Sequence, residues 1–253
     1  MRIFALSVFI AVSLYSAQDQ RPGDNIAKMF HEKTKYILKK HSVAFPAAKK
    51  PKLERTALPK PVFKGISVED AIAKRRSVRN YSDKEMSLAE LSQLLFAGHG
   101  ITGDVKAYNL KSVPSAGALY PFEIYLVVNR VKGLSKGLYR YIEEDHSLEF
   151  LREGDFSKAA KQASMGQNML EDSCVVFALA AVFSRTCSKY ADRGMRYVYM
   201  EAGHISQNIY IESASLGLGT VAIGAFYDNA WNKMFGLDGE KEAVVYLQTV
   251  GKI

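Results

Sequence analysis

Apolar positions along the chain follow two spacings that separate helices from strands. Apolar residues three or four apart predict helices, and runs of branched and aromatic residues predict buried strands. The predicted helices begin at Asp24, Ser67, Ser87 and Asp192. The predicted strands cover residues 122–128, 175–183 and 220–226, the last breaking into a loop at Gly224. With 48% hydrophobic residues among 253, the chain can form a complete core.

The longest predicted helix, from Asp192 to about Leu216, is apolar on more than one side. One stripe consists of Val198, Ala202, Ile205 and Ile209. Such a helix lies in a core or in a subunit interface. Glu201 and His204 are three residues apart, but a carboxylate-bridged metal site needs a second pair of this kind and the sequence has none. We therefore predict no metal, and we expect His204 to be a hydrogen-bonded interior or interface histidine.

Residues 1–20 differ in pattern from the rest of the chain. Arg2 precedes an apolar run that leads to Ser16 and Ala17. A charged head, a short hydrophobic middle and a small-residue exit are typical of a secretory signal peptide, and about 13 apolar-type positions are few for a membrane span. We expect residues 1–17 to be a signal peptide, cleaved on export to the periplasm or the extracellular space. An uncleaved membrane anchor is the alternative.

The net charge of +8 belongs to one segment. Residues 21–64 hold 12 Lys and Arg against 3 Asp and Glu, whereas residues 65–253 hold 21 against 22. The body is nearly neutral and carries no nucleic-acid-binding motif, so nucleic acid is not an expected partner. Within the basic segment, 18–64, a helix from Asp24 to about His41 precedes a Lys-rich stretch with four prolines. We interpret this stretch as an extended strap.

The two cysteines, Cys174 and Cys187, flank the predicted strand 175–183. Nine strand residues at about 3.3 Å each hold the sulfurs far beyond the roughly 7 Å between Cα atoms that a disulfide tolerates. We therefore expect no disulfide within the chain, despite the predicted export.

Three arginines surround one hydroxyl at the end of the second predicted helix. In the sequence KRRSVRNY, Arg75, Arg76 and Arg79 flank Ser77. Guanidinium forks and a serine hydroxyl suit the binding of a phosphate by side chains. The helix dipole gives an anion no help here, because the cluster lies at a helix C-terminus. A solvated basic helix end is the alternative.

Two further segments place small residues where a flat ligand could approach the backbone. The first is PSAGALYP, residues 114–121, at the mouth of the strand 122–128. The second is VAIGAF, residues 221–226, which follows the end of the longest helix. Glycine and small side chains permit such a close approach. An ordinary tight turn is the alternative for the first segment.

Taken in order, these segments resemble the nitroreductase superfamily of FMN-dependent oxidoreductases. The order is RRSxR, PSAGALYP, EAGHISQN and LGLGTVAIGAF. In addition, FHEKTK, GLYRYIEEDHSLEFL and SKYADRGMRY resemble the SagB/ThcOx-type dehydrogenase branch. The likeness extends from about Phe30 to Lys252. It implies an α+β fold with a central, mainly antiparallel sheet flanked by helices, a homodimer, and an FMN-binding domain over residues 65–253.

The resemblance also implies roles for individual residues. The phosphate and ribityl end of FMN would be held by Arg75, Arg76, Ser77 and Arg79. The segment that lies against the flavin, often from the partner subunit, would include Pro114, Ser115, Ala116, Gly117 and Leu119. The loop whose backbone faces the flavin ring would be Ile223, Gly224 and Ala225. Many nitroreductases reach the phosphate with basic residues beyond the last strand, and here Lys252 is the candidate for that contact.

Lys189 and Tyr190 match a Lys-Tyr pair that the resemblance implicates in azoline oxidation. Oxidising an azoline removes a proton from carbon while a hydride leaves to the flavin. A lysine can act as the base and a tyrosine can relay a proton. Alternatively, both are loop residues on the approach to the longest helix. Arg193 and Arg196 follow as candidate contacts for an anion or a substrate.

We therefore expect an exported FMN-dependent dehydrogenase that moves a hydride from a small-molecule or peptide-azoline-like substrate to flavin. NAD(P)H is a cytoplasmic reductant, so export favours a dehydrogenase over an NAD(P)H-dependent nitro or quinone reductase, which is the alternative enzyme. A non-catalytic dimer that binds flavin or a partner is the alternative of another class.

Overall fold

The computed structural model describes residues 26–38, 43–46, 54–105 and 108–253. The predicted signal peptide, residues 1–17, and the predicted helix start at Asp24 lie outside these ranges. The chain divides into two compact units, one ending at Thr34 and one covering residues 35–253. The first unit contains helix α1 (Ile26–Thr34). Among the residues that the structure describes, no helix has the length and apolar character needed to cross a membrane.

The second unit contains the remaining helices and all the strands. The helices are α2 (Val68–Lys74), α3 (Leu88–His99), α4 (Ser157–Ala163), α5 (Met169–Asp172), α6 (Phe183–Tyr190), α7 (Arg193–Ser215) and α8 (Asp228–Phe235). The strands are β1 (Arg55–Ala57), β2 (Ile101–Val105), β3 (Tyr108–Lys111), β4 (Phe122–Val128), β5 (Gly137–Ile142), β6 (Ser147–Glu153), β7 (Val175–Val182), β8 (Leu218–Ile223) and β9 (Glu242–Lys252). A single 3-10 turn covers Ala116–Ala118.

Seven of these strands form one sheet in the order β1-β6-β5-β4-β7-β9-β8, and every neighbouring pair is antiparallel. Strands β2 and β3 form a separate hairpin. This architecture confirms the predicted α+β class with a central antiparallel sheet flanked by helices. Strand β1 comes from the stretch that the sequence predicts only as an extended strap. Its pairing with β6 means that the sheet begins before residue 65.

The core covers both faces of the sheet. Central strand β7 is buried at every residue but its last. Because side chains alternate along a strand, its two sets of residues face opposite layers. One layer is the cluster around Trp231, which includes Val176 and Ala178 of β7 and residues of α4, α5 and α8. The other contains α3 and α7, which pack on each other and bury residues such as Leu94 and Ile205.

Local sequence signals placed the main helices correctly. The Ser87 side chain accepts a hydrogen bond from the Glu90 amide, and the Glu90 carboxylate accepts one from the Ser87 amide, which is the predicted capping box. Helix α3 stops where Gly100 caps it. Helix α7 occupies the predicted 192–216 region, with Asp192 and Leu216 as its flanking cap residues.

The first predicted helix is shorter than expected. It ends at Thr34 instead of near His41, and residues 35–38 are not helical. In that segment the Tyr36 amide donates to the Asp228 carboxylate at 2.9 Å, and the Leu38 amide donates to Asn229 Oδ1 at 3.2 Å. These side chains at the start of α8 satisfy amides that a longer helix would have paired internally. The sequence pattern could not show this competition.

Two smaller expectations had different outcomes. Both cysteines are free, as predicted, with strand β7 between them. His204 is exposed on α7. The interior placement expected for this histidine is therefore wrong for the single chain, and its place in an interface stays a prediction.

Candidate functional site

The arginine cluster that follows α2 is attached to the sheet edge at β8. Ser77 and Thr220 form a parallel bridge, and the Val78 amide donates to the Thr220 carbonyl at 2.9 Å. Strand β8 continues from Thr220 to Ile223. The cluster therefore lies beside the strand that carries the predicted flavin-facing loop, residues 223–225.

The charges of this cluster have no acidic neighbours in the part of the chain that the structure describes. Among the residues that the structure describes, no carboxylate is within ion-pairing distance of Arg75, Arg76 or Arg79. Arg76 donates to backbone carbonyls, at 3.0 Å to Ala73 and 2.7 Å to Arg75. Arg76, Ser77 and Arg79 are exposed. Exposed guanidinium groups without acidic partners, next to a hydroxyl, fit the phosphate of a nucleotide cofactor.

Tyr210 of α7 joins the cluster to β8, a role that no pattern in the sequence predicts. Its hydroxyl lies 3.0 Å from Ser77 Oγ and accepts a hydrogen bond from the Ala222 amide at 2.9 Å. The Arg75 guanidinium lies 5.2 Å from the centre of its ring. A tyrosine on a long, partly apolar helix has no spacing that marks it as functional, so no sequence signal was available.

The predicted flavin-facing loop is anchored from a second side. Ile223 is buried at the end of β8, whereas Gly224 and Ala225 are exposed. Gln167, in the connection between α4 and α5, donates to the Ala225 carbonyl at 2.8 Å and to the Ser164 carbonyl at 3.0 Å. The exposed backbone of this loop is thus held in place without a side chain covering Gly224.

The segment 114–120 forms a turn with an unusual backbone. Gly117, Ala118 and Tyr120 have positive φ angles of 64°, 55° and 42°. Non-glycine residues adopt this region only when their surroundings compensate for the strain. Ser115 Oγ accepts a hydrogen bond from the Tyr120 amide at 2.9 Å, and the Tyr120 hydroxyl accepts one from the Lys111 amide at 3.1 Å. These bonds hold the turn in its strained form.

Lys189 and Tyr190 end helix α6 and lie directly against this turn. A Cβ atom placed on Gly117 would stand 2.9 Å from Lys189 Nζ and 2.8 Å from Tyr190 Oη. Lys189 Nζ lies 5.5 Å from the centre of the Tyr190 ring. The fold therefore brings together the candidate catalytic pair and the PSAGALYP segment, which are about 70 residues apart in the sequence. A larger residue at this position would displace the ends of both side chains and would have to adopt the positive φ of 64°.

A buried carboxyl group interacts with Ser115 of the turn. Glu201 of α7 is 2% exposed, and its Oε1 atom has no hydrogen-bond partner. Burial raises the pKa of Glu201 to about 7, an increase that the hydrogen bond with Ser115 and the nearby charge of Lys111 limit. The sequence analysis considered Glu201 only as a metal ligand. In the described part of the chain, no group of three His, Cys, Asp or Glu could hold a metal.

A cavity of about 450 Å³ adjoins the turn at Ala118, Leu119 and Tyr120. Its other walls are mostly charged and include Lys111, which forms an ion pair with Glu143. Behind this pair, at the end of α3, His99 is completely buried. Burial lowers the pKa of His99 well below its usual value, and the nearby charges of Lys111 and Arg185 lower it further. The cavity is therefore polar and open to a small ligand beside the turn.

The remaining predicted site residues are less closely grouped. Lys252 forms an ion pair with Glu90, so its charge is already compensated. Pro114 is exposed, and Ala116 and Leu119 are half-buried. Arg193 and Arg196 are also exposed, and the Arg193 guanidinium lies 5.6 Å from the Tyr197 ring centre.

The site residues form two groups on opposite sides of α7. Glu201 points to the turn and its Ser115, whereas Tyr210 points to Ser77 of the arginine cluster. Nine positions along an α-helix correspond to two and a half turns and about 13 Å. Within one chain, the turn and the arginine cluster therefore lie on opposite sides of the same helix.

Comparisons with known proteins point to one protein family. The model of the nitroreductase family matches residues 72–252. Protein MJ1384 of Methanocaldococcus jannaschii, named as a nitroreductase, is 42% identical over 192 residues, which are 76% of this chain and 94% of that protein.

Two more distant proteins extend the comparison. The microcin B17-processing protein McbC of Escherichia coli is 25% identical over 182 residues, covering 69% of this chain and 65% of McbC. A solved structure from Ralstonia eutropha, also named as a nitroreductase, superposes with a TM-score of 0.69. It covers 85% of this chain and 98% of that chain at 23% identity, which supports the same fold.

Proposed function

Because the chain belongs to the nitroreductase family of oxidoreductases, we propose that it is an FMN-dependent dehydrogenase of the SagB type. The observation that carries this proposal is the contact of Lys189 and Tyr190 with Gly117. This contact puts a candidate base and a proton relay beside the turn for which the sequence resemblance implies a flavin contact. The cavity, which adjoins the turn at Ala118 next to Gly117, offers a place for a substrate on this side of the turn.

The residues present fit an FMN molecule. Arg75, Arg76 and Arg79 carry the positive charge that its phosphate requires, and Ser77 adds a hydroxyl. The backbone of residues 223–225, which is exposed at Gly224 and Ala225, would lie along the ring. FMN, when bound, supplies a two-electron acceptor that takes up a hydride.

The chain's own contribution to the reaction is the movement of a proton. Lys189, in its neutral form, accepts at Nζ the proton that leaves the substrate carbon, and Tyr190 Oη passes a proton between this site and solvent. Lys189 is exposed, and no described carboxylate holds it in an ion pair. Without a fixed acidic partner, its side chain can turn from Gly117 to a bound substrate.

We also propose that the active form is a homodimer. The arginine cluster and the turn lie on opposite sides of α7, so a single chain cannot place both against one flavin. A second copy can bring its own turn to the cluster of the first. Met200 on α7 is 53% exposed, and Val68 and Ile72 on α2 are 57% and 58% exposed. These apolar side chains are suited to burial against a second copy.

The proposed substrate is a small molecule or a peptide-azoline-like compound. Support comes from the similarity to McbC, whose name states that it processes microcin B17. We propose further that the mature enzyme is exported, because residues 1–20 have the sequence pattern of a signal peptide. An NAD(P)H-dependent nitro or quinone reductase is the second candidate, supported by the name of the 42% identical relative.

A flavin spectrum tests the proposal first. The purified protein should be yellow or become yellow on reconstitution with FMN, and anaerobic NADPH should bleach it slowly compared with a true substrate. Rapid bleaching by NADPH would favour the reductase instead. A protein that stays colourless after reconstitution would contradict both enzymatic proposals. The non-catalytic dimer would then be the remaining candidate.

Substitutions then separate the two groups of residues. Lys189→Ala and Tyr190→Phe should keep the flavin but lose turnover, because neither side chain holds the phosphate. Arg76→Ala should weaken FMN retention while the fold remains intact. Lys158→Ala, at an exposed position of α4, is the matched control and should change neither property. Loss of flavin from the Lys189 or Tyr190 variants would make these residues structural.

A further inference from the structure

We propose that Tyr210 is a positioning residue for the phosphate site: its hydroxyl orients the Ser77 hydroxyl as a hydrogen-bond donor toward the phosphate of FMN. This inference rests on the proposed binding of FMN. It concerns a residue that touches no ligand itself and acts through Ser77.

The direction of the hydrogen bonds follows from the three groups involved. The Ala222 amide can only donate, so the Tyr210 oxygen accepts this bond at 2.9 Å. The phenol has one proton, and Ser77 Oγ lies 3.0 Å away. If Ser77 donated to Tyr210, the phenolic proton would have no partner among the described residues. Ser77 is exposed and can donate its own proton to water, so the arrangement that leaves neither hydroxyl proton unpaired has Tyr210 donating to Ser77.

This direction leaves the Ser77 proton available. Ser77 Oγ has no other hydrogen-bond partner among the described residues, and the side chain is exposed between Arg76 and Arg79. A phosphate can only accept hydrogen bonds, so a hydroxyl that already receives one and still offers its proton is matched to it. Tyr210 thus makes Ser77 complementary to an anion.

The ring of Tyr210 has a separate role. The Arg75 guanidinium lies 5.2 Å from the ring centre, which is a cation–π distance. Substitution by phenylalanine keeps this contact and removes only the hydroxyl. Tyr210→Phe therefore isolates the effect of orienting Ser77 from the effect of holding Arg75.

The test compares two flavins that differ by the phosphate. Binding of FMN and of riboflavin to the full-length protein is measured by quenching of flavin fluorescence. In Tyr210→Phe, FMN affinity should fall by about 10- to 100-fold, the loss expected for one hydrogen bond to a charged group, while riboflavin affinity stays the same. Ser77→Ala should show the same selective loss, and the double variant should lose no more than Ser77→Ala alone.

Tyr81→Phe is the matched control. The Tyr81 hydroxyl lies 2.9 Å from the Val78 carbonyl and 2.7 Å from Thr249 Oγ1, next to the same bridge but without contact to Ser77. This variant should bind FMN as the wild type does. Melting temperatures of all variants verify that they are folded.

Three kinds of result would overturn the inference: the wrong flavin dependence in Tyr210→Phe, additivity with Ser77→Ala, and the absence of flavin binding. Unchanged FMN affinity in Tyr210→Phe, or an equal loss for FMN and riboflavin, would show that Tyr210 does not act on the phosphate. Additive losses in the double variant would show that it does not act through Ser77. If the wild type binds no flavin at all, the proposed cofactor itself is wrong, and that result is distinct from the other two.

Discussion

The substitution Glu201→Gln should remove a pH dependence of stability that the fold itself creates. Glu201 is 2% exposed, and burial raises its pKa from 4.5 to about 7. The folded chain therefore holds this proton more tightly than the unfolded chain. The resulting stabilisation is present in full below about pH 4.5 and is lost as the pH rises through 7. Glutamine has a similar size, can still accept a bond from Ser115, and cannot ionise.

The size of the effect follows from the two pKa values. Each tenfold difference in proton affinity corresponds to about 1.4 kcal/mol, so the whole change from 4.5 to about 7 corresponds to about 3.4 kcal/mol. Between pH 5 and pH 8, the wild type should lose about 2.5 kcal/mol of unfolding free energy more than the variant. Because the side chain is almost fully buried, solvent screening reduces this value little.

Urea denaturation at pH 5, 6, 7 and 8 measures this difference directly. Wild type and variant are compared at one protein concentration and one flavin content, since both a dimer and a ligand change apparent stability. Other titrating groups are common to both proteins and cancel. Glu69→Gln, at an exposed position of α2, serves as the control. Its unfolding free energy should change with pH as that of the wild type does. If the unfolding free energy of Glu201→Gln followed that of the wild type in parallel across the four pH values, the reasoning would be refuted.

Three further substitutions test contacts around the turn. Gly117→Ala should lower the unfolding free energy by about 1–3 kcal/mol, because φ is +64° and the new Cβ would meet Lys189 and Tyr190; an unchanged melting temperature would contradict this. Adding Lys189→Ala to that variant should recover part of the loss, and no recovery would place the strain in the backbone alone. Lys111→Met should cost about 3 kcal/mol at pH 8, since it leaves the buried Glu143 carboxylate without its partner. Denaturation at pH 5, where protonation relieves that charge, should show a smaller loss, and an equal loss at both pH values would refute the ion-pair explanation.

The parts of the fold that the sequence predicted well depend on local interactions. The capping box at Ser87 and Glu90 specifies the start of α3 within four residues. The unbroken apolar run of β7 requires burial on both faces wherever the strand is placed. Neither prediction needs information about distant partners, which explains why single-sequence reasoning placed both elements correctly.

The parts of the fold that the sequence predicted poorly depend on side chains that are distant along the chain. The end of α1 and the extended form of residues 35–38 follow from Asp228 and Asn229, about 190 residues later. Strand β1 is specified by pairing with β6, about 90 residues later. Its three residues, Arg-Thr-Ala, carry no apolar alternation, so the prolines nearby were the stronger local signal.

The candidate site also combines features that the local sequence predicts with features that depend on distant residues, and helix α7 contains both. The apolar stripe of this helix predicted its burial, but the stripe says nothing about the polar residues on either side of it. Glu201 and Tyr210 gain their roles from Ser115, Ser77 and Ala222, which reach α7 from separate parts of the chain. A spacing of nine residues is two and a half helical turns, so the two side chains point in opposite directions. A helical wheel would therefore assign them to unrelated surfaces. They become related only if a second copy brings its turn to the arginine cluster of the first. In that case the α7 helix of each chain supports one half of each of the two flavin sites, so a change near Glu201 should alter contacts with the flavin that the partner's arginine cluster holds.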